Sequence, residues 1–284
     1  MKLMSFVCQN QQSFGIVDEG QGRIYDLKSR LGGDLRSAIG GGRLESAEKL
    51  IRGASSDYHT SEVTFLPVIP NPGKIICVGL NYLAHRREGN HSDEASIPPF
   101  FTRFPDSQTG HMRPLICPSE SHRFDFEAEV AVVIGQGGRR IPKSEALAHV
   151  AGISCYNDGS VRDWQLVSNQ WTPGKNFPAT GAFGPWMVTP DEVAPDSNLR
   201  LICRLNGEEM QNTTTDLMMF KLPELISYIS TFTALRPGDV IVSGTPGGVG
   251  HRRDPQIYMK EGDIVEIELE GVGKLRNHVI KEKA

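Results

Sequence analysis

The chain of 284 residues is long enough for one large domain and a small one, and its 38% hydrophobic and 23% charged residues are ordinary for a globular protein. A formal net charge of −4, without any block of Lys and Arg, argues against a nucleic-acid partner. No apolar run reaches the roughly 20 residues of a membrane helix, and the short apolar start is no signal peptide. We therefore expect a cytoplasmic protein with no membrane partner.

The five cysteines are far apart in the chain: Cys8, Cys77, Cys117, Cys155 and Cys203. Their odd number and the lack of a Cys-x-x-Cys pair argue against a disulfide framework and against a zinc site. Several lie inside apolar runs, which is typical of cysteine as a small buried hydrophobe in a reducing compartment.

Residues 1–70 are predicted to form a small N-terminal α+β domain. Two strand-like runs and a polar, helix-prone stretch follow one another at 3–7, 13–17 and 44–52. Three closely spaced prolines between residues 65 and 73 exclude helix interior and central strand, which indicates a semi-rigid linker. We place the domain boundary near residue 70.

Residues 71–284 have a mainly β pattern with many turn signals, and the fold class predicted for the whole chain is α+β, mainly β. The predicted strands are 74–78, 126–134, 150–156, 199–205, 239–242, 264–269 and 275–280. Asn206-Gly207 is a strong hairpin signal. The two predicted helices are the short segment 82–88 and the amphipathic segment 223–235, which has Pro at its start and Arg-Pro-Gly after it.

Glu127 and Glu129 are the first candidate functional residues. Residues two apart on a strand share a face, so both carboxylates should point the same way. Apolar residues fill the opposite face at Val130, Val132 and Ile134. Buried like charges are costly, and a hard cation such as Mg²⁺ or Ca²⁺ would relieve that cost. The alternative for this motif alone is an exposed strand end with two solvated glutamates.

Three further polar positions follow predicted strands or turns. Asp158 comes directly after the strand at 150–156, where a third carboxylate would complete an oxygen ligand set, although Asn-Asp-Gly is also a common turn. Lys175 lies among turn formers and aromatic residues. Thr245 lies in a glycine-rich loop that matches no nucleotide-binding motif but whose hydroxyl and backbone amides suit a carboxylate.

The order of these motifs resembles the fumarylacetoacetate hydrolase family. The resemblance extends from about residue 73 to 280 and rests on the segments 78–88, 127–129, 157–158 with 162–165, 174–175 and 243–246. It implies a mixed β-sandwich roll for the catalytic domain, usually as a homodimer.

The resemblance also implies roles for individual residues. The implied Mg²⁺ or Mn²⁺ ligands are Glu127, Glu129 and Asp158, with Ca²⁺ a further candidate ion. The implied catalytic residues are His85, Glu88 and Lys175. The implied substrate-binding residues are Asn81, Tyr82, Arg103, Arg162, Gln165 and Thr245.

The activity that the resemblance implies is metal-dependent hydrolysis of a carbon–carbon bond in a small acylpyruvate or β-diketo acid. The metal would stabilise the enolate that forms as the bond breaks, and His85, oriented by Glu88, would activate water. The same device serves isomerases, tautomerases and decarboxylases of keto diacids, which stay open as alternatives. A non-catalytic β-sandwich that binds a small acid is disfavoured, because it would need neither Lys175 nor the His85–Glu88 pair.

Two positions beside the predicted substrate pocket depart from the family pattern. Leu80 stands where many members have Arg before the Asn-Tyr pair, and Arg103 lies near the position of a lysine in many members. The resemblance therefore does not extend to the identity of the substrate.

Overall fold

The computed structural model describes residues 1–283, and strands dominate it. The strands are β1 (Lys2–Cys8), β2 (Gln11–Asp18), β3 (Arg23–Asp26), β4 (Tyr58–His59), β5 (Thr64–Phe65), β6 (Ile75–Val78), β7 (Phe100–Arg103), β8 (Gln108–Thr109), β9 (Leu115–Cys117), β10 (Phe124–Asp125), β11 (Ala128–Ile134), β12 (Val150–Asn157), β13 (Ser160–Val161), β14 (Gly181–Val188), β15 (Arg200–Leu205), β16 (Glu208–Thr214), β17 (Val240–Val242), β18 (Ile264–Leu269) and β19 (Gly273–Lys281).

The helices are short apart from one. The α-helices are α1 (Lys28–Leu31), α2 (Leu35–Gly40), α3 (Ala47–Ile51), α4 (Leu83–Glu88), α5 (Arg162–Gln165), α6 (Thr172–Lys175) and α7 (Leu222–Phe232). Single 3₁₀ turns occur at Arg43–Ser46, Thr60–Glu62, Pro105–Ser107, Ala146–His149, Thr215–Leu217 and Gly250–Arg252.

The larger sheet is mixed. Its strand order is β4-β3-β2-β1-β14-β12-β11-β17-β6-β7, with β5 beside β1 and β8 beside β14. Most neighbours are antiparallel, but β17 runs parallel to β6 and β8 runs parallel to β14. Because β6 and β17 are parallel, their carboxyl ends lie at the same edge of the sheet.

A second sheet of five strands, in the order β16-β15-β18-β19-β9, packs on β11, β12 and β14 of the larger sheet. Apolar residues from both sheets fill the space between them, including Val130, Val132, Ile153, Leu201, Cys203, Ile267 and Leu275. The chain is therefore an α+β protein, mainly β, in which two packed sheets form the core, as predicted.

The other face of β11 is also buried. Ala131 and Val133 belong to a second apolar cluster with residues of the first 70 positions, including Leu3, Phe14, Leu35, Ala38 and Ile39. Side chains alternate along a strand, so the odd-numbered and even-numbered side chains of β11 pack in two different cores. The continuous apolar run at the end of this strand predicts this burial of both faces.

Residues 1–65 extend the larger sheet. Strand β1 pairs with β14 through Lys2–Val188 and Leu3–Met187, and β2, β3 and β4 continue outward from it. The predicted boundary near residue 70 falls in the segment between β5 and β6, and the division into two domains stays a prediction.

Local signals located some elements well and others not. Asn206 and Gly207 have φ values of 54° and 84° and join β15 to β16 in the predicted hairpin. Helix α7 ends at Phe232, three residues before the predicted end at 235. Thr233 is extended, and the Leu235 N–H donates to the Gly138 carbonyl at 2.8 Å, so a tertiary hydrogen bond ends the helix early.

All five cysteines are free, as predicted. Within residues 1–283, no helix combines the length and apolar character that a membrane crossing requires.

His111 joins the two sheets and is sensitive to acid. Its ring packs edge-on against Phe65, with 4.8 Å between ring centroids, and its Nδ1 accepts the Arg276 N–H at 3.1 Å. Burial, with a smaller effect of the Arg276 charge, lowers the pKa of His111 from 6.5 to about 4. The unfolded chain therefore takes up this proton at a higher pH than the folded chain, and folding stability falls as pH drops from 6.5 towards 4.

We predict that His111→Gln, which keeps an acceptor for the Arg276 N–H, makes the free energy of unfolding less dependent on pH. Between about pH 6.5 and about pH 4.5, the wild type should lose up to about 1.4 kcal/mol per pH unit more unfolding free energy than the variant. Urea unfolding at several pH values measures both profiles. Parallel profiles for the two proteins would contradict the assignment.

Candidate metal and substrate site

A cavity of about 210 Å³ opens at the sheet edge where β6 and β17 end. Seven of the residues predicted from the sequence line it: His85, Glu127, Glu129, Arg162, Gln165, Lys175 and Thr245. The rest of its wall is largely apolar and includes Leu80, Phe101, Leu166, Trp171 and Val249.

Glu127 and Asp158 meet because β11 and β12 are antiparallel neighbours. Ala128 lies opposite Asn157, so the residue before one strand lies next to the residue after the other. The Asp158 N–H donates to the Glu127 carbonyl at 2.9 Å, and the Glu127 N–H donates to Asn157 Oδ1 at 3.0 Å. Glu127 lies in the two-residue gap before β11 rather than within the predicted strand, and it faces the same cavity as Glu129.

Two buried cations hold the charges of Glu127 and Asp158. Lys175 Nζ donates to Glu127 Oε2 at 2.8 Å, to Asp158 Oδ2 at 2.6 Å and to Ser160 Oγ at 2.7 Å. Arg103 Nη1 donates to Asp158 Oδ1 at 2.6 Å. All three N–H donors of the ammonium group are therefore taken by the protein.

A third cation, Arg162, joins the site to a neighbouring carboxylate. Its Nη1 lies 2.7 Å from Glu127 Oε1, and its Nε donates to Asp125 Oδ2 at 2.8 Å. Burial alone would raise the pKa of Glu127, but the charges of Lys175 and Arg162 outweigh it and lower that pKa well below the usual range. Burial alone would lower the pKa of Lys175, but Asp158 and Glu127 outweigh it and raise that pKa. Glu127 and Lys175 are therefore both ionised at neutral pH.

Glu129 differs from the other two carboxylates in its partner. Its Oε2 accepts a 2.5 Å hydrogen bond from the N–H of Gly244, two residues after β17, rather than from a charged donor. Burial, followed by the Asp158 and Glu127 carboxylates, raises the pKa of Glu129 well above its ordinary value. The site therefore lacks one positive charge near Glu129.

The three carboxylates fit a divalent cation. Glu127, Glu129 and Asp158 are all buried, and each can offer an oxygen within 4.8 Å of those of the other two. Carboxylate oxygens are the ligands that Mg²⁺ and Ca²⁺ take, and Mn²⁺ suits the same donors. A cation held there would supply the charge that Glu129 lacks. The predicted set of three is thus brought together, and it is able to hold a metal ion.

Close packing of α5 and α6 positions Lys175 and Gln165. A Cβ added to Gly174 would lie 2.3 Å from the Gln165 backbone nitrogen, so only glycine permits this approach. Gln165 Oε1 accepts from Arg162 Nη1 at 2.8 Å. The motifs at 162–165 and 174–175 are thus one structural unit beside the acidic residues.

His85 and Glu88 form the predicted pair on α4. His85 Nδ1 lies 2.6 Å from Glu88 Oε1, and Glu88 Oε2 accepts the Gly248 N–H at 2.8 Å. The contact to Gly248 connects α4 to the glycine-rich loop after β17. With Nδ1 engaged by a carboxylate, Nε2 is the ring nitrogen available for proton transfer in the cavity.

Three predicted substrate-binding residues do not line the cavity. Asn81 is buried and bonds the backbone of Phe220 and Ser243 at 2.8–3.0 Å. The Tyr82 side chain is buried. Arg103 contacts Asp158 from behind the cavity. In this arrangement Asn81 and Arg103 support the site, and a substrate contact by any of the three stays a prediction.

Several residues at the cavity mouth were not predicted from the sequence. His91, His251 and Arg252 line it, together with Phe101 and Trp171. His251 and Arg252 directly follow the glycine-rich loop at 243–250, so extending that motif by two residues would have found them. His91 and Phe101 lie within three residues of the predicted site residues Glu88 and Arg103, but no motif marked them, and the fold brings them to the cavity.

The fold and the site define an enzyme class in which a β-rich scaffold carries buried carboxylates able to hold a metal ion. Residues 74–280 match the family described as fumarylacetoacetate (FAA) hydrolase C-terminal. The chain belongs to the fumarylacetoacetate hydrolase family, as the resemblance implied, and is an enzyme of that superfamily.

Relatives within this family have different named activities. The chain is 45% identical to oxaloacetate tautomerase FAHD2A, mitochondrial, of Bos taurus, over 78% of this chain and 70% of that protein. It is 37% identical to oxaloacetate tautomerase fahd2, mitochondrial, of Xenopus laevis, over 99% of this chain and 90% of that protein. The solved fumarylacetoacetate hydrolase of Exiguobacterium antarcticum superimposes with a TM-score of 0.84 and is 30% identical, covering 99% of this chain and 100% of that one.

We predict that Glu129→Gln lowers the affinity for Mn²⁺ by more than about tenfold, since it removes one anionic ligand. Calorimetric titration of chelator-treated protein with Mn²⁺ measures the change. The metal-free variant should melt no lower than the metal-free wild type, because the substitution also removes a buried carboxyl with two like-charged neighbours. Glu208→Gln, on an exposed residue of β16, is the matched control. Unchanged Mn²⁺ affinity in Glu129→Gln would exclude this residue as a ligand.

Proposed function

We propose that this enzyme interconverts the enol and keto forms of a small 2-keto acid, with oxaloacetate the first candidate substrate. The observation that carries the proposal is that one cavity combines a carboxylate set able to hold a metal ion with a histidine–glutamate pair. The named activity of the relatives at 45% and 37% identity supports this reaction ahead of the hydrolysis expected from the resemblance.

The size and lining of the cavity support a small acid. At about 210 Å³ it is below the roughly 300–1,000 Å³ typical of pockets for drug-sized ligands. Leu80, Phe101 and Trp171 provide an apolar wall, whereas the buried carboxylates lie together on one side. A small acid would fill this space and exclude most water from it.

The polar residues have separable roles in this proposal. A divalent cation held by Glu127, Glu129 and Asp158 would attract the keto-acid oxygens and favour negative charge on the enolic oxygen. Lys175 holds Glu127 and Asp158 by hydrogen bonds, and because its three donors are taken it acts on the substrate through its charge rather than by a hydrogen bond. The Thr245 hydroxyl accepts from Gln211 Nε2 at 2.9 Å, so its own proton can be donated to a carboxylate.

His85 is the proposed acid–base group. Its neutral ring carries the Nδ1 proton towards Glu88, which leaves Nε2 able to take a proton from the carbon next to the keto group. In the reverse direction the ring returns a proton to that carbon while the enolic oxygen releases its own proton to solvent, and in the forward direction the oxygen takes one up, so the protons balance in each direction. Glu88 orients the ring and stabilises its charged form, and the Gly248 N–H fixes Glu88 in turn.

Hydrolysis of an acylpyruvate is the second candidate, because the same nitrogen of His85 is suited to activating water. The named activity of the Exiguobacterium antarcticum protein supports it. We also retain as proposals the homodimer implied by the family resemblance and the cytoplasmic location expected from the sequence.

Substrate trials with Mg²⁺ or Mn²⁺ separate these reactions. We expect the enol form of oxaloacetate to decay to the keto form faster with enzyme than without it, as followed by ultraviolet absorbance, while proton NMR shows oxaloacetate as the only product. Pyruvate and carbon dioxide from oxaloacetate would instead indicate decarboxylation. Pyruvate and a second acid from an acylpyruvate, with no effect on oxaloacetate, would establish the hydrolase in its place.

We predict that His85→Ala lowers kcat by about 10²–10⁴-fold for whichever of these reactions the enzyme performs, as expected for a positioned acid–base group. Mn²⁺ and oxalate should bind the variant nearly as well as the wild type, because the carboxylates and Thr245 remain. Steady-state kinetics and calorimetry measure the two effects. A variant with wild-type kcat would remove His85 from the mechanism, and Glu88→Gln should show a smaller loss in the same direction.

A further inference from the structure

An exposed arginine lies at the mouth of the cavity. Arg252 is exposed and lines the cavity, and among residues 1–283 it takes part in none of the ion pairs. Its neighbour Arg253 is different, because it donates to the backbone carbonyls of Gly248 at 3.1 Å and Met210 at 2.5 Å. Arg253 therefore holds the loop, whereas the guanidinium of Arg252 is available to a ligand.

The turn that carries Arg252 is held by the same network that holds the acidic site. Asp125 accepts the N–H groups of Gly250 and His251, each at 2.9 Å, and Asp125 is bound by Arg162, which also contacts Glu127. A Cβ on Gly250 would lie 1.9 Å from the Ile257 carbonyl oxygen, so the turn closes only with glycine there. Arg252 thus has a defined position relative to the acidic residues.

Two imidazoles lie at the same mouth. His251 Nδ1 is 2.7 Å from the Tyr258 hydroxyl, so Nε2 is the ring nitrogen that remains for another partner. Burial, followed by Arg86 and Arg252, lowers the pKa of His91, while burial, followed by Arg162 and Arg252, lowers that of His251. Both rings are therefore neutral at neutral pH and can each offer one N–H, while Arg252 provides the charge.

We propose that Arg252, assisted by His91 and His251, binds the second carboxylate of a dicarboxylic keto acid. The proposal rests on the proposed function, in which the keto-acid end lies at Glu127, Glu129 and Asp158. The acidic residues lie on the inner side of the cavity and the free cation lies at its mouth, so a substrate with a carboxylate at each end matches both. Arg252 would thereby select dicarboxylic over monocarboxylic substrates.

Arg252→Gln tests this role, because it removes the charge and keeps much of the side-chain length. We expect KM for oxaloacetate to rise by about tenfold or more, since a charge-assisted hydrogen bond is lost. The 4-methyl ester of oxaloacetate lacks the second charge. The KM of Arg252→Gln for this ester should therefore stay within about twofold of the KM of the wild type for the same ester. Arg252→Lys should recover part of the oxaloacetate affinity, which a purely structural role would not explain.

Arg139→Gln is the matched control, because Arg139 is exposed and does not line the cavity. This substitution changes the net charge by the same amount as Arg252→Gln. Equal KM changes for oxaloacetate and its ester in Arg252→Gln, or no change for either, would overturn the proposal.

Binding measurements separate this proposal from the tautomerase assignment. Calorimetry of the Mn²⁺-loaded protein should show weaker binding of oxaloacetate to Arg252→Gln than to the wild type, with binding of pyruvate unchanged. If the wild type turns over no enol but this difference is present, the tautomerase assignment fails and the dicarboxylate subsite stands. If turnover is present but both ligands bind the variant as they bind the wild type, the subsite is wrong and the tautomerase assignment stands.

Discussion

Burial of several carboxylates in one place is the constraint on which the rest of the site depends. Glu127, Glu129 and Asp158 are almost fully removed from water, and ionised groups in such surroundings need partners of opposite charge. Lys175 and Arg162 supply them to Glu127, and Lys175 and Arg103 supply them to Asp158. Glu129 has only a backbone N–H, so its ionisation depends on a cation bound there. Removing a single partner from such a network typically costs about 3–5 kcal/mol, because it leaves a buried charge uncompensated.

The charged network also links several segments that surround the cavity. Arg162 contacts Glu127 and Asp125, and Asp125 in turn holds the turn at the cavity mouth. Glu88 connects the helix of His85 to the glycine-rich loop. Because these bonds share partners, a substitution at one residue is expected to change the contacts of others. The free-energy changes of single substitutions will therefore not be additive. His85, the carboxylates and the mouth are therefore parts of one hydrogen-bonded unit.

The two apolar cores make this unit rigid. Strand β11 has its side chains in both cores, and its neighbours β12 and β17 hold it on either side. Glu129 is therefore carried on one of the most enclosed strands of the protein, which restricts its movement. The exposed segment at the cavity mouth lies outside these two cores, and exposed loops carry more sequence variation than the elements they connect.

Short-range patterns in the sequence predict those elements of the fold and the site whose signals are local. Alternation placed Glu127 and Glu129 towards one side, and a strand end placed Asp158. An Asn-Gly pair marked a hairpin, and helical spacing marked most of α7. It did not reveal β14, whose Gly184 and Pro185 break the strand pattern. The folded chain shows, where no sequence signal did, that Arg103 supports Asp158 from behind and that Arg252 lines the cavity mouth whereas Arg253 binds backbone carbonyls. These outcomes depend on which segments become neighbours, and strand pairing between residues far apart in the chain leaves no periodicity to read.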